Sequence, residues 1–176
     1  MCAEPPHPPS ASAALNRALD VVGADPRWQR LHAPLGEVGN LAHAVFLEPA
    51  AGWFFLDHEQ VQVAVVALLR GGDPRAAGSA GRPGARGAAE PTTGSVERWG
   101  SVVEDLRTRS PQFRRLWSGL HVRYRTRTSC PVHHPDLGAI TVDRFVSRAA
   151  DGSWLERVQA PADSPAAQVM ALLDLI

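Results

Sequence analysis

The repeat of apolar residues changes once along this chain, and that change restricts the fold more than any other feature. Between Val96 and Leu120 the repeat is helical. Val96, Trp99, Val102, Val103 and Leu106 share one face, and Ser110-Pro111 restarts a helix carrying Phe113, Leu116, Trp117 and Leu120. From Val122 the repeat is two. Val122, Tyr124, Thr126 and Thr128 fall on one face of a strand, with Arg123, Arg125 and Arg127 on the other. Ile140 and Val142 mark a second strand, and Asp151-Gly152 is a hairpin turn into a third around Leu155 to Val158. Ser164-Pro165 caps a closing helix with Val169, Met170, Leu172 and Leu173.

Earlier residues supply more helices. Asp25-Pro26 reads as an N-cap followed by proline at the first helical position, leading into Trp28 and Leu31. Asn40 caps a helix through Leu41, Val45 and Phe46 that must stop before Pro49. Asp57 and Gln60 form a capping box ahead of Val61, Val65, Leu68 and Leu69, and Gly71 ends that helix. Residues 13–22 suit one or two short strands bending at Asn16-Arg17. Helices grouped between strands predict an α+β fold, with an antiparallel sheet of about five strands packed against four to five helices.

Two stretches rich in Pro, Gly and Ala bury too little apolar area to offset the entropy of ordering them. Residues 1–12 read as a disordered tail and residues 71–94 as a disordered insertion, which leaves one domain over 13–176.

Charge and composition remove several functions. The formal net charge is zero, so no global field attracts nucleic acid or an anionic membrane. Every basic residue is arginine, which excludes lysine Schiff bases and the P-loop lysine and suggests a GC-rich bacterial genome. Two cysteines, Cys2 and Cys130, suit a reducing cytosol. The N-terminus lacks a signal-peptide pattern and no apolar run is long enough for a membrane span, so the expectation is a cytoplasmic chain.

The chemistry-bearing residues form no catalytic set. There is no G-x-S-x-G elbow, and Gly78-Ser79-Ala80-Gly81 falls in the insertion. Glu104 and Asp105 lie among arginines on a helix, the setting of surface ion pairs. Cys130, His133, His134 and His121 are ligand types, but they lack a second spaced pair, and adjacent histidines in a strand point to opposite faces. They read as a turn shaped by His134-Pro135 rather than a metal site. The Arg123, Arg125, Arg127 stripe reads as a solvated or partner-facing surface, and no helix-turn-helix pattern is present. The expectation is therefore no enzyme, no cofactor, no metal and no direct nucleic-acid contact. Trp53-Phe54-Phe55 is a non-periodic aromatic run, of a kind that lines apolar cavities between helices and sheet.

Several segments, taken in order, resemble the MmyB-like ligand-binding domain, a PAS-like sensor found after an XRE-type helix-turn-helix in actinobacterial regulators. They begin with 15–22 and Asp25-Pro26, then Gly39-Asn40-Leu41 through Phe46-Leu47-Glu48-Pro49, and then Val66-Ala67-Leu68-Leu69-Arg70. The strongest is 106–117, with Arg109-Ser110-Pro111-x-Phe113 and Leu116-Trp117. His121-x-Arg123, His134-Pro135-Asp136-Leu137-Gly138 and Asp163-Ser164-Pro165-Ala166 complete the series. The chain departs from the family pattern at Ala24, Asp25, Gly39 and Arg144, the last standing where the family has a tyrosine.

The resemblance implies a PAS-like fold and a small apolar ligand, fatty-acid-like by analogy, whose binding shifts a conformation or a dimer contact. The sequence ahead of Leu15 is too short for a helix-turn-helix, so the expectation is a sensor without its own DNA reader. The expected lining is Val45, Phe46, Trp53, Phe54, Phe113, Trp117 and Tyr124. The alternative is a ligand-free interaction module that dimerises with another regulator, which a filled core with Trp53 and Phe55 exposed would favour.

Overall fold

A computed structural model describes residues 9–74, 92–119, 124–161 and 164–175. Five strands, β1 (Ser10–Leu15), β2 (Val21–Ala24), β3 (Arg127–His134), β4 (Gly138–Arg148) and β5 (Trp154–Gln159), form one sheet. Its order is β2-β1-β5-β4-β3, with every neighbouring pair antiparallel. The helices are α1 (Pro26–His32), α2 (Leu41–Leu47), α3 (Ala51–Phe54), α4 (His58–Gly71), α5 (Thr93–Arg109), α6 (Pro111–Gly119) and α7 (Pro165–Ala171). This is the α+β arrangement that the segregated strands and helices predict, and it is PAS-like, as the family resemblance implies.

Side-chain alternation divides the sheet into two faces. Ala11, Ala13 and Leu15 of β1 point inward with Trp154 and Val158 of β5, Ile140, Val142 and Val146 of β4, and Cys130 and Val132 of β3. The helices cover this face: α1 packs on β1, α3 on β3 and α7 on β4, while α4 gathers α2, α3 and α6 around itself.

The caps sit where the sequence places them. The Asp25 carboxylate accepts from Trp28 N at 2.8 Å, Asn40 Oδ1 from His43 N at 3.0 Å, Asp57 from Gln60 N, and Ser164 from Ala167 N. Gly71 is the last residue of α4. A Cβ there would stand 3.0 Å from the Trp154 ring and 3.2 Å from Tyr124, so only glycine lets those rings close over the helix end. Gly152 holds φ +83° in the β4–β5 turn, with the Arg17 guanidinium directly against it.

Three differences from the sequence reading have physical causes. The strand expected over 122–128 is instead β3 from Arg127; residues 122 and 123, and Leu120 and His121 before them, lie outside the described residues. Alternating Thr and Arg imitates a strand, but the ladder forms where Cys130, Val132 and His134 can face the core. Pro131 is tolerated because β3 is an edge strand, and its carbonyl accepts from Leu56 N at 3.0 Å. Second, β1 begins at Ser10 with Ala11 fully buried, while Gly71 belongs to α4 and Thr93 and Gly94 to α5. Both low-complexity stretches thus give up their ends to regular structure; residues 1–8 and 75–91 lie outside the description. Third, the aromatic run closes a short helix rather than lining a cavity: Trp53 and Phe54 end α3, and Phe55 is its extended C-cap, bridged to Val132 of β3.

Candidate ligand site

Two charged residues occupy the inward face where hydrocarbon is expected. Glu156 lies between Trp154 and Val158 on β5 and is fully buried; Arg144 sits beside it on β4 at 6% exposure. Arg144 Nε donates to Glu156 Oε1 at 2.8 Å and its Nη2 reaches the same oxygen, while Trp28 Nε1 donates to Oε2 at 2.9 Å. Burial raises the Glu156 pKa, but the Arg144 charge, His32 and these hydrogen bonds outweigh it, and the net direction is down. For Arg144, burial works against the charge and Glu156 more than restores it. The pair is thus a charged but neutralised island, and Cys130 next to it is a thiol whose pKa burial pushes up.

His32 completes the island. Its ring stacks on Trp28 at 4.1 Å between centroids, and Nδ1 donates to the Trp28 carbonyl at 2.9 Å, since a carbonyl oxygen can only accept. Burial lowers its pKa to about 4, so the ring is neutral near pH 7. His134 is held in a similar way, with Nε2 donating to Arg30 O at 3.1 Å and Nδ1 accepting from Asp136 N. His133 projects to the other face, beside Trp53. The Cys130, His133 and His134 side chains therefore do not converge, and His121 lies outside the described residues. Among the described residues no group of three or more His, Cys, Asp or Glu is arranged to hold a metal.

Next to this island the helix layer and the sheet part slightly. Ala64, Val65 and Leu68 of α4 face Arg144 and Val146 of β4 across a cavity of about 20 Å³, closed on its third side by Tyr124, Arg125 and Thr128. The void is room for about one water. Its walls are apolar except for Arg144 and Thr128, with Arg125 exposed at the rim.

Of the seven residues expected to line a site, Tyr124 borders this cavity, with its ring edge-on to Trp154 at 4.7 Å. Phe46, Phe113 and Trp117 come together elsewhere. Phe46 meets Phe113 edge-on at 5.1 Å, Phe113 stacks on Trp117 at 5.2 Å, and the Arg70 guanidinium lies 5.0 Å over the Trp117 ring. That cluster joins α2, α6 and the end of α4. Phe54 is fully buried against Phe55 and His32, Val45 is fully buried in α2, and Trp53 is 47% exposed. Val65, Leu68, Arg144, Val146 and Glu156 were not among the expected site residues. Their signal was positional: a charged residue at an inward position on each of two paired strands.

Residues 86–173, half of the chain, match the family model described as the MmyB-like transcription regulator ligand binding domain. The chain belongs to this family. The match runs through α5, α6, the β3–β5 meander and α7, and so takes in Tyr124, Arg144, Val146 and Glu156. The MmyB-like domain is a ligand-binding part of transcription regulators and not an enzyme class. A search of curated proteins finds no match to the chain. Among the described residues no helix is long and apolar enough to cross a membrane.

Proposed function

We propose that this MmyB-like domain is the cytoplasmic small-molecule sensor of a transcriptional regulator, and that its ligand enters between α4 and β4. The observation that carries the reading is the cavity between Val65 and Leu68 of α4 and Tyr124, Arg144 and Val146, the last three within the residues that match the ligand-binding family. A ligand of ordinary size needs a pocket of about 300 Å³ or more. A void of about 20 Å³ therefore has to open, with α4 moving away from β4 or the Tyr124 segment moving outward. Binding then selects an open conformation, which is the signal. The apolar walls suit an apolar body, fatty-acid-like by family analogy. Phe46, Phe113 and Trp117 act in this reading by anchoring α6 to the end of α4, and Val45, Trp53 and Phe54 by holding α2 and α3. The domain transmits the change to a DNA-binding regulator as a homodimer or heterodimer and itself makes no direct contact with nucleic acid.

A second reading, a ligand-free interaction module, draws on the nearly filled interior and on Trp53 and Leu56, both about half exposed. Phe55, by contrast, is buried at 1% exposure, so the aromatic run presents one ring to solvent rather than two. Native mass spectrometry on gently purified protein separates the two. A stoichiometric apolar adduct lost on denaturation is the expected result. A clean apo mass, together with no thermal shift across a fatty-acid series, would overturn the sensor reading in favour of the interaction module.

A further inference from the structure

The outward face of the sheet carries a second, larger depression. Alternation sends Phe145 and Ser147 of β4 and Leu155, Arg157 and Gln159 of β5 away from the helices. The register sets Phe145 beside Arg157, and Ser147 beside Leu155. The β3–β4 ladder starts at the pair Arg127 and Phe145, so among the described residues the end of β4 beyond it has no strand neighbour on that side. Tyr124 and Thr126 form the far wall there, enclosing a groove of about 570 Å³.

Its electrostatics are one-sided. Arg148 and Arg157 line the groove, and among the described residues no carboxylate does. Nearby Arg127 is neutralised by Asp143 at 2.8 Å. Arg148 lies 5.5 Å over the Trp154 ring, and Arg157 makes no hydrogen bond or ion pair among the described residues. The Arg157 guanidinium, uncompensated beside a floor of Phe145 and Leu155, selects a negative charge attached to an apolar surface, while Arg148 is held over the inward-facing Trp154 ring. A second copy of the chain fits poorly, because its own outer face would bring the same arginines where acids are needed.

We propose that this outer groove binds a small organic anion with a flat apolar body, such as an aromatic acid. Arg157 takes the acidic group in a two-pronged contact, and the ring lies on Phe145 and Leu155. The site lies on the opposite face of the sheet from the one between α4 and β4, and shares the Tyr124 and Val146 borders with it. Arg144 and Phe145 are consecutive on β4, and Glu156 and Arg157 on β5, each pair facing opposite sides of one sheet.

The test uses the 176-residue chain and the probe 8-anilinonaphthalene-1-sulfonate, followed by calorimetry and by amide chemical shifts. Saturable binding is expected, with the shifts concentrated at Phe145, Ser147, Leu155 and Arg157. R157E should weaken it by about tenfold or more while leaving the melting temperature in place, and F145S should do likewise. The uncharged analogue N-phenyl-1-naphthylamine should bind about tenfold more weakly than the sulfonate. Shifts confined to Val65, Leu68 and Arg144, equal affinity in R157E, equal affinity for the neutral analogue, or no saturation by about 1 mM would each overturn the proposal. None of the outcomes that overturn this proposal counts against a fatty acid entering the inner site.

Discussion

His32 has its Nδ1 proton on the Trp28 carbonyl and its ring against the indole, enclosed so fully that protonation would place a second cation close to Arg144. The unfolded chain carries a histidine of pKa about 6.5, whereas the folded value is about 4. Between those values the unfolded state binds a proton that the folded state refuses. The His32 contribution to stability is therefore complete above about pH 6.5 and falls as pH drops toward 4, by about 3 kcal/mol in all. His43 is lowered in the same direction, by burial, and steepens the loss. Glu156 has a depressed pKa, so its contribution holds down to its ordinary value of 4.5 and is lost only below that, after most of the His32 loss. Replacing His32 with Phe keeps a ring on Trp28 and removes the titrating group. Urea unfolding measured from pH 7.5 to 4 should show a flatter fall in stability for H32F than for the parent chain. Equal slopes would place the proton uptake elsewhere.

Among the elements, helix starts were the most legible part of the sequence and strand starts the least. An N-cap is a local contract between one side chain and a backbone N–H three residues on, so Asp25, Asn40, Asp57 and Ser164 reveal themselves without knowledge of the rest of the fold. A strand is defined by its partner. Nothing within 122–128 announces that Thr126 only grazes β4 while Cys130 and Val132 carry the ladder. The caps themselves are not equivalent. Asp57 accepts at 3.3 Å from Gln60 N on an exposed helix end, with the Gln60 amide returning to the same carboxylate. Asn40 is buried, caps α2, and also donates to the Ala18 carbonyl and to Asp20, which in turn holds Arg98 of α5. D57A should cost about 1 kcal/mol, the usual value of a cap. N40A should cost about 2 to 4 kcal/mol, because it also orphans a buried carbonyl and loosens the link to α5. Guanidinium unfolding of the two variants measures the difference, and equal losses would show that Asn40 acts as a cap alone.

At the scale of the whole molecule, the alternating sheet and the family resemblance made the architecture readable, while the cavity between α4 and β4 was not, for a physical reason. Aromatic residues are the conspicuous part of a sequence, but large rings are also what a core needs, and here Phe46, Phe113 and Phe54 fill it. The cavity instead lies where small and β-branched residues of α4, Ala64 and Val65, stand off from β4, a gap that depends on the angle between layers and not on any one residue. Ala64 borders that gap and is only partly buried, so a larger side chain there can block the entrance without straining the interior. A ligand present at about 100 times its dissociation constant stabilises the folded state by about 2.7 kcal/mol, which for a chain of this length is a rise of roughly 5 to 10 °C in melting temperature. A64F should melt within a few degrees of the parent chain when no ligand is present, yet lose most of the rise that a bound fatty acid produces in the parent. If A64F keeps the full rise, the ligand does not pass between α4 and β4, and the aromatic cluster around Phe113 and Trp117 becomes the place to look for it.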